Sequence, residues 1–350
     1  MQKIQRVQNK RIELGIKKQK GLYAGPFELL SSGNREVVVE NVDIIIPTYK
    51  PDEKFFQLIE MLQKQTIPVQ HIIVMNTEQK YFDRLIFGSK FPDMGSKLIV
   101  KHLSKREFDH GRTRNLGVRY SDADTFVMMT DDAVPADEYL IESLLDGLSG
   151  ENVAVSYARQ LAYEGDSEAE KYTRNFNYPA KACIKTAEDI GRLGIKTYFC
   201  SNVCAAYKRD IFNELGGFIK RTIFNEDMIY AASAIKAGYG IAYVPQAKVY
   251  HSHHYGSREQ FKRNFDLGVS QRDHPEVFAD VPSESEGIRL VKKTIAHLRQ
   301  EKMVGQIPGV AIQSAFKYLG YQAGKHYRIL PDWLIMQFTS NKEYWLKRKV

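Results

Sequence analysis

Three short stretches of the chain carry side chains that could do chemistry together. The first is Thr130-Asp131-Asp132, which follows the apolar run Phe126 to Met129 directly. Such a run reads as a buried strand, and the two acids then stand at its carboxyl end. Ligands of open α/β sheets bind at that end. Paired carboxylates there suit a hard divalent cation, which commonly bridges phosphates. Alone, the pair is equally compatible with a turn, where Asp is frequent. The second stretch is Glu226-Asp227, opening an expected helix from Asn225 to Ala237 that Gly238 stops. A carboxylate in a first helical turn is stabilised by the helix dipole and is expected to stay ionised, as a general base must. Helix capping employs the same residue types. The third stretch is Tyr250-His251-Ser252-His253-His254. On an extended chain His251 and His253 share one face and His254 takes the other, so one imidazole could join the acids on a metal.

These groups need a rigid frame. The β-branched run Val42 to Ile46, closed by Pro47, reads as a buried parallel strand, and His71–Met75, Leu98–Val100 and Thr125–Thr130 read as its companions. Between them, Asp52 to Gln65 carries Phe55, Phe56, Leu58, Ile59, Met61 and Leu62, the wide stripe of a helix lying on a sheet. Residues 111–120 and 137–148 read as further helices. Regular alternation of this kind implies βαβ units, hence an α/β fold with a mostly parallel sheet. No G-x-G-x-x-G follows the first strand, which disfavours a dinucleotide site. After Val153–Val155 the rhythm breaks, and the polar, tyrosine-rich residues 159–198 read as a functional excursion. A strand over Val203–Tyr207, a helix from Lys208, a strand over Ile241–Val244 and a separate extended piece over Val249–His254 follow. From Glu286 the pattern is helical. The expected organisation is a basic extension over residues 1–40, a catalytic domain over 41–255 and a helical C-terminal region over 256–350.

The 350 residues are 43% hydrophobic and 26% charged, as in ordinary soluble domains. No apolar run approaches the roughly 18 residues of a membrane span, and Met1 to Arg6 lacks the apolar core of a signal peptide. Cys183, Cys200 and Cys204 form no CxxC, which points to a reduced, cytoplasmic compartment; Cys200 and Cys204 read as packing residues. The net charge of +8 is concentrated at the ends, in Lys3, Arg6, Lys10, Arg11, Lys17, Lys18 and Lys20 and in Lys342, Lys347, Arg348 and Lys349. This is either a set of solvated helix faces or a patch resting on an anionic membrane surface. The aromatic tail (Tyr318, Tyr321, Tyr327, Trp333, Phe338, Trp345) fits interfacial helices, packing on the catalytic domain or a homodimer contact. Because the excess charge lies outside the α/β core, nucleic acid is not the expected partner.

The motifs fall in a recognisable order: Ile44-Ile-Ile-Pro-Thr-Tyr49, Gln65-Thr66, Arg114-Asn115-Leu-Gly117, Thr130-Asp-Asp132, Gly216-Gly-Phe218, Glu226-Asp227, Ala237-Gly-Tyr239, Val244-Pro245 and His251. Over residues 41 to 255 this resembles the family 2 glycosyltransferases, inverting enzymes of the GT-A fold. Phe108-Asp-His-Gly111, Asn225-Glu-Asp-Met-Ile229, His251-Ser-His-His-Tyr255 and Phe265-Asp-Leu-Gly268 are most similar to rhamnosyltransferases of surface polysaccharide assembly. The resemblance implies Mn²⁺ or Mg²⁺ held by Asp132 and His251, with His253 as the alternative on the same face and Asp131 beside the ribose or a metal-bound water. It implies Asp227 as catalytic base with Glu226 supporting it. Pro47, Thr48 and Tyr49 would line the base pocket, and Arg114 with Arg112 would touch base or phosphates. Asn76 stands where the family usually has an Asp for the pyrimidine N3, and its carbonyl can accept the same hydrogen bond, with Glu78 as a second option. Ser201, Asn202 and His253 would lie near sugar or acceptor. So would Arg263, from Gln260-Phe-Lys-Arg263-Asn264, which echoes the Q-x-x-R-W of processive synthases without its Trp. The implied reaction moves one or a few sugars, L-rhamnose from dTDP-rhamnose first, onto a glycan or lipid-linked glycan at the inner membrane face. The alternatives are another hexose from a UDP-sugar, or an inactive relative that only binds nucleotide-sugar or glycan.

Overall fold

The computed structural model describes residues 41–87, 95–253, 255–281 and 284–348. The helix and linker expected over residues 1–40, and His254, lie outside them. From residue 41 onward the described chain belongs to one compact unit. It begins with β1 (Val42–Tyr49), α1 (Glu53–Gln63), β2 (Ile72–Thr77), α2 (Gln79–Phe87), β3 (Leu98–Leu103), α3 (His110–Val118) and β4 (Thr125–Met129). Then come β5 (Val134–Pro135), α4 (Leu140–Leu148), β6 (Val153–Leu161), α5 (Glu168–Asn177), β7 (Cys183–Lys185) and α6 (Ile190–Leu193). The sheet is completed around β8 (Cys204–Lys208), α7 (Arg209–Glu214), α8 (Glu226–Lys236) and β9 (Gly240–Tyr250). The remainder is helical: α9 (Ser257–Asp273), α10 (Pro275–Phe278), α11 (Glu284–Gln300), α12 (Ile307–Lys325), α13 (Asp332–Phe338) and α14 (Lys342–Arg348).

The strands form one mixed sheet in the order β3-β2-β1-β4-β8-β6-β9-β5, with β7 also on β9. Parallel ladders join β3, β2, β1 and β4, and also β6 to β9; β8 is antiparallel to both its neighbours. Helices cover both faces. On β1, Ile44 and Ile46 pack with α1 and α4, while Ile45 packs on the opposite face with α3 and α8. Burial on both sides explains the unbroken apolar reading of these strands.

Two prolines expected to end strands do not. β1 continues through Pro47 to Tyr49. Ile44 N–H donates to His71 O on the β2 side, so alternation turns the missing N–H of Pro47 toward β4, whose pairing has already ended at Ile45–Met128. The expected separate pieces around 241–254 are the single strand β9. Its register against β6 jumps from Ala158–Val244 to Arg159–Lys248, and Pro245 sits in that bulge.

The C-terminal helices have their own core of Phe265, Val269, Tyr327, Ile335, Tyr344 and Trp345, joined by Ile223 from the loop before α8. Of the aromatic tail, Tyr321, Tyr327 and Trp345 are therefore buried, whereas Tyr318 and Trp333 stay exposed. α9 and α12 touch backbone to backbone. A methyl group on Gly320 would lie 2.2 Å from Phe261 O, one on Gly324 2.1 Å from Phe265 O, and one on Gly268 2.3 Å from Tyr321 O.

Candidate active site

The three stretches converge at the carboxyl end of β4. Thr130 N–H donates to Val203 O, so Asp131-Asp132 and Ser201-Asn202 leave adjacent strand ends. β9 brings His251 alongside: its N–H donates to Leu161 O at the end of β6. Asp132 then meets one imidazole on each carboxylate oxygen. His251 Nε2 lies 3.5 Å from Oδ1 and His253 Nε2 lies 3.3 Å from Oδ2. The sequence offered His253 as an alternative to His251; the structure brings both to Asp132.

Gln160 fixes the chemistry of His251. Its Oε1 accepts from Arg174 Nη1 at 2.6 Å and lies 3.0 Å from His251 Nδ1. Arginine can only donate, so the shared atom is the carbonyl oxygen and His251 Nδ1 carries a proton. Burial holds the His251 pKa well below its ordinary value, with His253 adding to the effect. The ring is then neutral, and its Nε2 lone pair faces a carboxylate oxygen. A divalent cation between these two electron-rich atoms would satisfy both. One carboxylate and two imidazoles are a donor set that Mn²⁺ accepts readily and Mg²⁺ less so. The carbonyl on the far side of the ring is the outer-shell partner common to metal-bound histidines. Asp131 stands apart from this group. Its Oδ2 accepts from Tyr49 N–H at 3.3 Å, and burial, with Asp132 next, pushes its pKa up to about 7.

The acid pair of α8 is built differently. Asn225 precedes it in the left-handed region, φ 65°, with its amide on Ser270 Oγ at 3.2 Å. Strained non-glycine backbone of this kind concentrates at functional sites. Asn202 connects both acids: its N–H donates to Asp227 Oδ2 at 3.0 Å and its Nδ2 to Glu226 Oε1 at 3.1 Å. Tyr207 O–H in turn donates to Asn202 Oδ1 at 2.6 Å. Glu226 is buried against Arg114, 3.2 Å away, with His110 Nδ1 at 4.0 Å. Arg114 and His110 lower its pKa in spite of burial, so Glu226 is the ionised member. Burial and the Glu226 charge push Asp227 up to about 7. At Asp227, burial and the neighbouring charge work against the helix terminus that was expected to keep it ionised, while Glu226 in the same turn stays ionised. A partly exposed carboxyl poised near neutrality is well suited to take a proton.

The expected nucleotide residues divide. Tyr49 is 41% exposed and meets Tyr81 edge-on at 5.6 Å, with Lys50 and Lys105 over its ring at 5.4 and 5.0 Å. Pro47 is partly exposed beside it. Asn76 does not line the expected base pocket. It is fully enclosed, its Oδ1 accepting from Thr48 Oγ1 at 3.0 Å and its Nδ2 meeting His102 Nδ1 at 2.9 Å, so no base edge reaches it. The neighbour that enclosed it, His102 on β3, gave no sign in the sequence. Glu78, at φ 67°, receives Lys105 N–H at 3.0 Å. Arg114 is turned to Glu226 and His110 O rather than to a base. Arg112 is exposed among Glu107 and Lys347. Ser201 Oγ accepts from Gln160 Nε2 at 3.0 Å. Arg263 lies over the rings of Tyr255 at 4.7 Å and Phe224 at 5.5 Å, and its charge acts on both His110 and His253. Sequence reasoning missed Gln160, Arg174 and Tyr207. A polar residue persisting on the buried strand β6 was the available signal for Gln160.

The family described as Glycosyl transferase family 2 matches residues 43–216. The O-antigen chain rhamnosyltransferase RfbN of Salmonella typhimurium is 37% identical over 306 residues, covering 87% of this chain and 96% of that protein. The O-antigen chain rhamnosyltransferase WbaN of Salmonella anatum is 36% identical over 305 residues, 86% and 95% of the two chains. The fold is similar to that of a mannosyltransferase from Pyrobaculum calidifontis, solved in complex with GDP-Man and Mn²⁺ (TM-score 0.50, 14% identity, 88% of this chain and 87% of that one). The fold is thus of the GT-A type, and the chain belongs to glycosyl transferase family 2.

Proposed function

We propose that the protein is a metal-dependent, inverting rhamnosyltransferase, using dTDP-L-rhamnose and a glycan acceptor carried on a lipid. The observation that carries the reading is the pairing, at one end of the sheet, of an Asp132–His251–His253 group that could hold a cation with an Asp227 carboxyl poised near pH 7. A divalent cation held by those three residues would neutralise charge building on the leaving diphosphate. Asp227 takes the proton of an acceptor hydroxyl while that oxygen attacks the anomeric carbon. The bond from that carbon to the diphosphate breaks on the opposite side, and the configuration inverts. Glu226 stays ionised and raises the basicity of Asp227; Asn202 orients both acids. Tyr49 offers a face to the base, and Lys50 and Lys105 offer charge to phosphates. The rhamnosyl specificity follows the two Salmonella relatives. On this reading residues 41–255 form the catalytic part and 256–350 a helical part that meets the acceptor's surroundings. No helix among the described residues is long and apolar enough to cross a membrane. An acceptor on a lipid would therefore be met at the surface.

The test is turnover of a panel of dTDP- and UDP-sugars with Mn²⁺, Mg²⁺ or EDTA, with the anomeric configuration of the product read by NMR. The expected result is preference for dTDP-L-rhamnose, loss of turnover in EDTA and an inverted product. Undiminished turnover in EDTA, or retained configuration, overturns the mechanism.

A further inference from the structure

An open surface pocket of about 230 Å³ lies between α9 and α13. Arg258, Phe261, Lys262, Gln337 and Phe338 line it. Phe261 and Phe338 pack edge to face, 4.8 Å apart, and supply its apolar surface. Arg258 and Lys262 are four residues apart on one helix, so their charges stand on the same face. Neither has an acidic or hydrogen-bonding partner among the described residues, and the acid between them, Glu259, is turned to Gly256 N–H at 3.0 Å. Gln337 stands four residues after Trp333 on α13, and Trp333 is 66% exposed. Ile329, 81% exposed, lies just ahead of α13. Two unpaired cations over an apolar, aromatic floor, flanked by an exposed Trp and Ile, match an anion that carries a hydrocarbon chain.

We infer that the α9–α13 cavity binds the phosphate headgroup of an anionic lipid, with Trp333 and Ile329 entering the acyl boundary beside it. This rests on the lipid-linked acceptor of the proposed function and names the surface that meets its membrane. The same helix carries Arg263 on the side facing His253, so a lipid held on its outer side sits one helix away from the transfer site.

The experiment is flotation of the full chain with phosphatidylglycerol or phosphatidylcholine vesicles, alone or with inorganic phosphate at matched ionic strength. The wild type is expected to float with phosphatidylglycerol and not with phosphatidylcholine. Arg258→Glu with Lys262→Glu is expected to lower the bound fraction roughly tenfold or more, since each basic side chain near an anionic surface contributes about a fivefold change. Trp333→Ala lowers it less, and both variants keep donor turnover with a water-soluble acceptor, which also reports that they fold. Displacement by inorganic phosphate alone would overturn the lipid assignment in favour of a free-phosphate site. Flotation of the charge-reversed protein at the wild-type level overturns the proposal and moves any membrane contact elsewhere, including residues 1–40. Asp227→Asn floats normally while losing transfer, so failure of the catalytic reading and failure of this one are distinguishable.

Discussion

The sheet carries an acid–imidazole group at each end, and they are not alike. At the carboxyl end are Asp132, His251 and His253; at the amino end are Asp43, His71 and Asp122. The residue types nearly match. At the amino end, Asp43 Oδ1 accepts His71 N–H at 2.9 Å and faces His71 Nδ1 at 3.2 Å. That imidazole is free to present its proton to the acid, and Arg209 adds a positive field from nearby. At the carboxyl end, Gln160 Oε1 accepts a hydrogen bond from His251 Nδ1–H, which leaves the Nε2 lone pair toward Asp132. One group closes on itself; the other is left with a lone pair toward a carboxylate, an arrangement that a cation would complete. The difference resides in Gln160, which stands behind His251, and it teaches that a cluster's composition says less than the hydrogen bonds behind it.

The comparison breaks most visibly at Asp132. Asp132→Asn should abolish Mn²⁺ binding by calorimetry and lower turnover roughly 10³-fold, the scale of several kcal/mol of charge stabilisation by a metal. Asp43→Asn should leave both intact; loss of Mn²⁺ binding there would erase the distinction. Asp227→Asn should cost about 10²- to 10⁴-fold in kcat without changing Mn²⁺ affinity, as expected for a general base. In the wild type, kcat/KM should rise with pH to a plateau above about 7, where Asp227 loses its proton. Linkage gives the opposite sign for stability. The folded carboxyl keeps its proton up to about 7 while the unfolded one releases it near its ordinary 3.8, so this group's contribution to stability falls as pH rises through that window. Asp227→Asn should accordingly melt higher than wild type at pH 8, and a lower melting temperature there would remove the burial argument.

A finer cut separates the two groups at the supporting residue. Gln160→Leu should weaken Mn²⁺ binding about 10- to 100-fold while Asp132, His251 and His253 remain, the usual effect of losing an outer-shell partner. The smallest effect belongs to the closed group. His71→Ala should cost about 1 kcal/mol of stability in urea unfolding and change turnover little.

Much of this frame was legible beforehand, because hydrophobic period and helix starts are local. The β-branched run before Pro47, the stripe of α1 and the acids after β4 announce themselves within a few residues. What stayed hidden was non-local. Nothing near Asn76 in sequence foretells His102, which encloses it from β3, and nothing near Asp227 foretells that Glu226 would be held ionised by Arg114 from another helix. The exposed and buried members of the aromatic tail also share one composition. Only the packing of α9, α13 and α14 sorts Trp345 inward and Trp333 outward.

The glycine seam between α9 and α12 bears on how such a protein can be recombined. With main chains in contact at Gly268, Gly320 and Gly324, the seam admits no side chain and therefore no substitute helix of ordinary sequence. α9 begins seven residues after β9 ends and carries Arg263 over the rings of Tyr255 and Phe224. A chimera that exchanged the tail of this chain after residue 300 would have to bring a matching pair of glycines with it. Without them α9 would tilt, and the graft would disturb chemistry performed more than forty residues upstream.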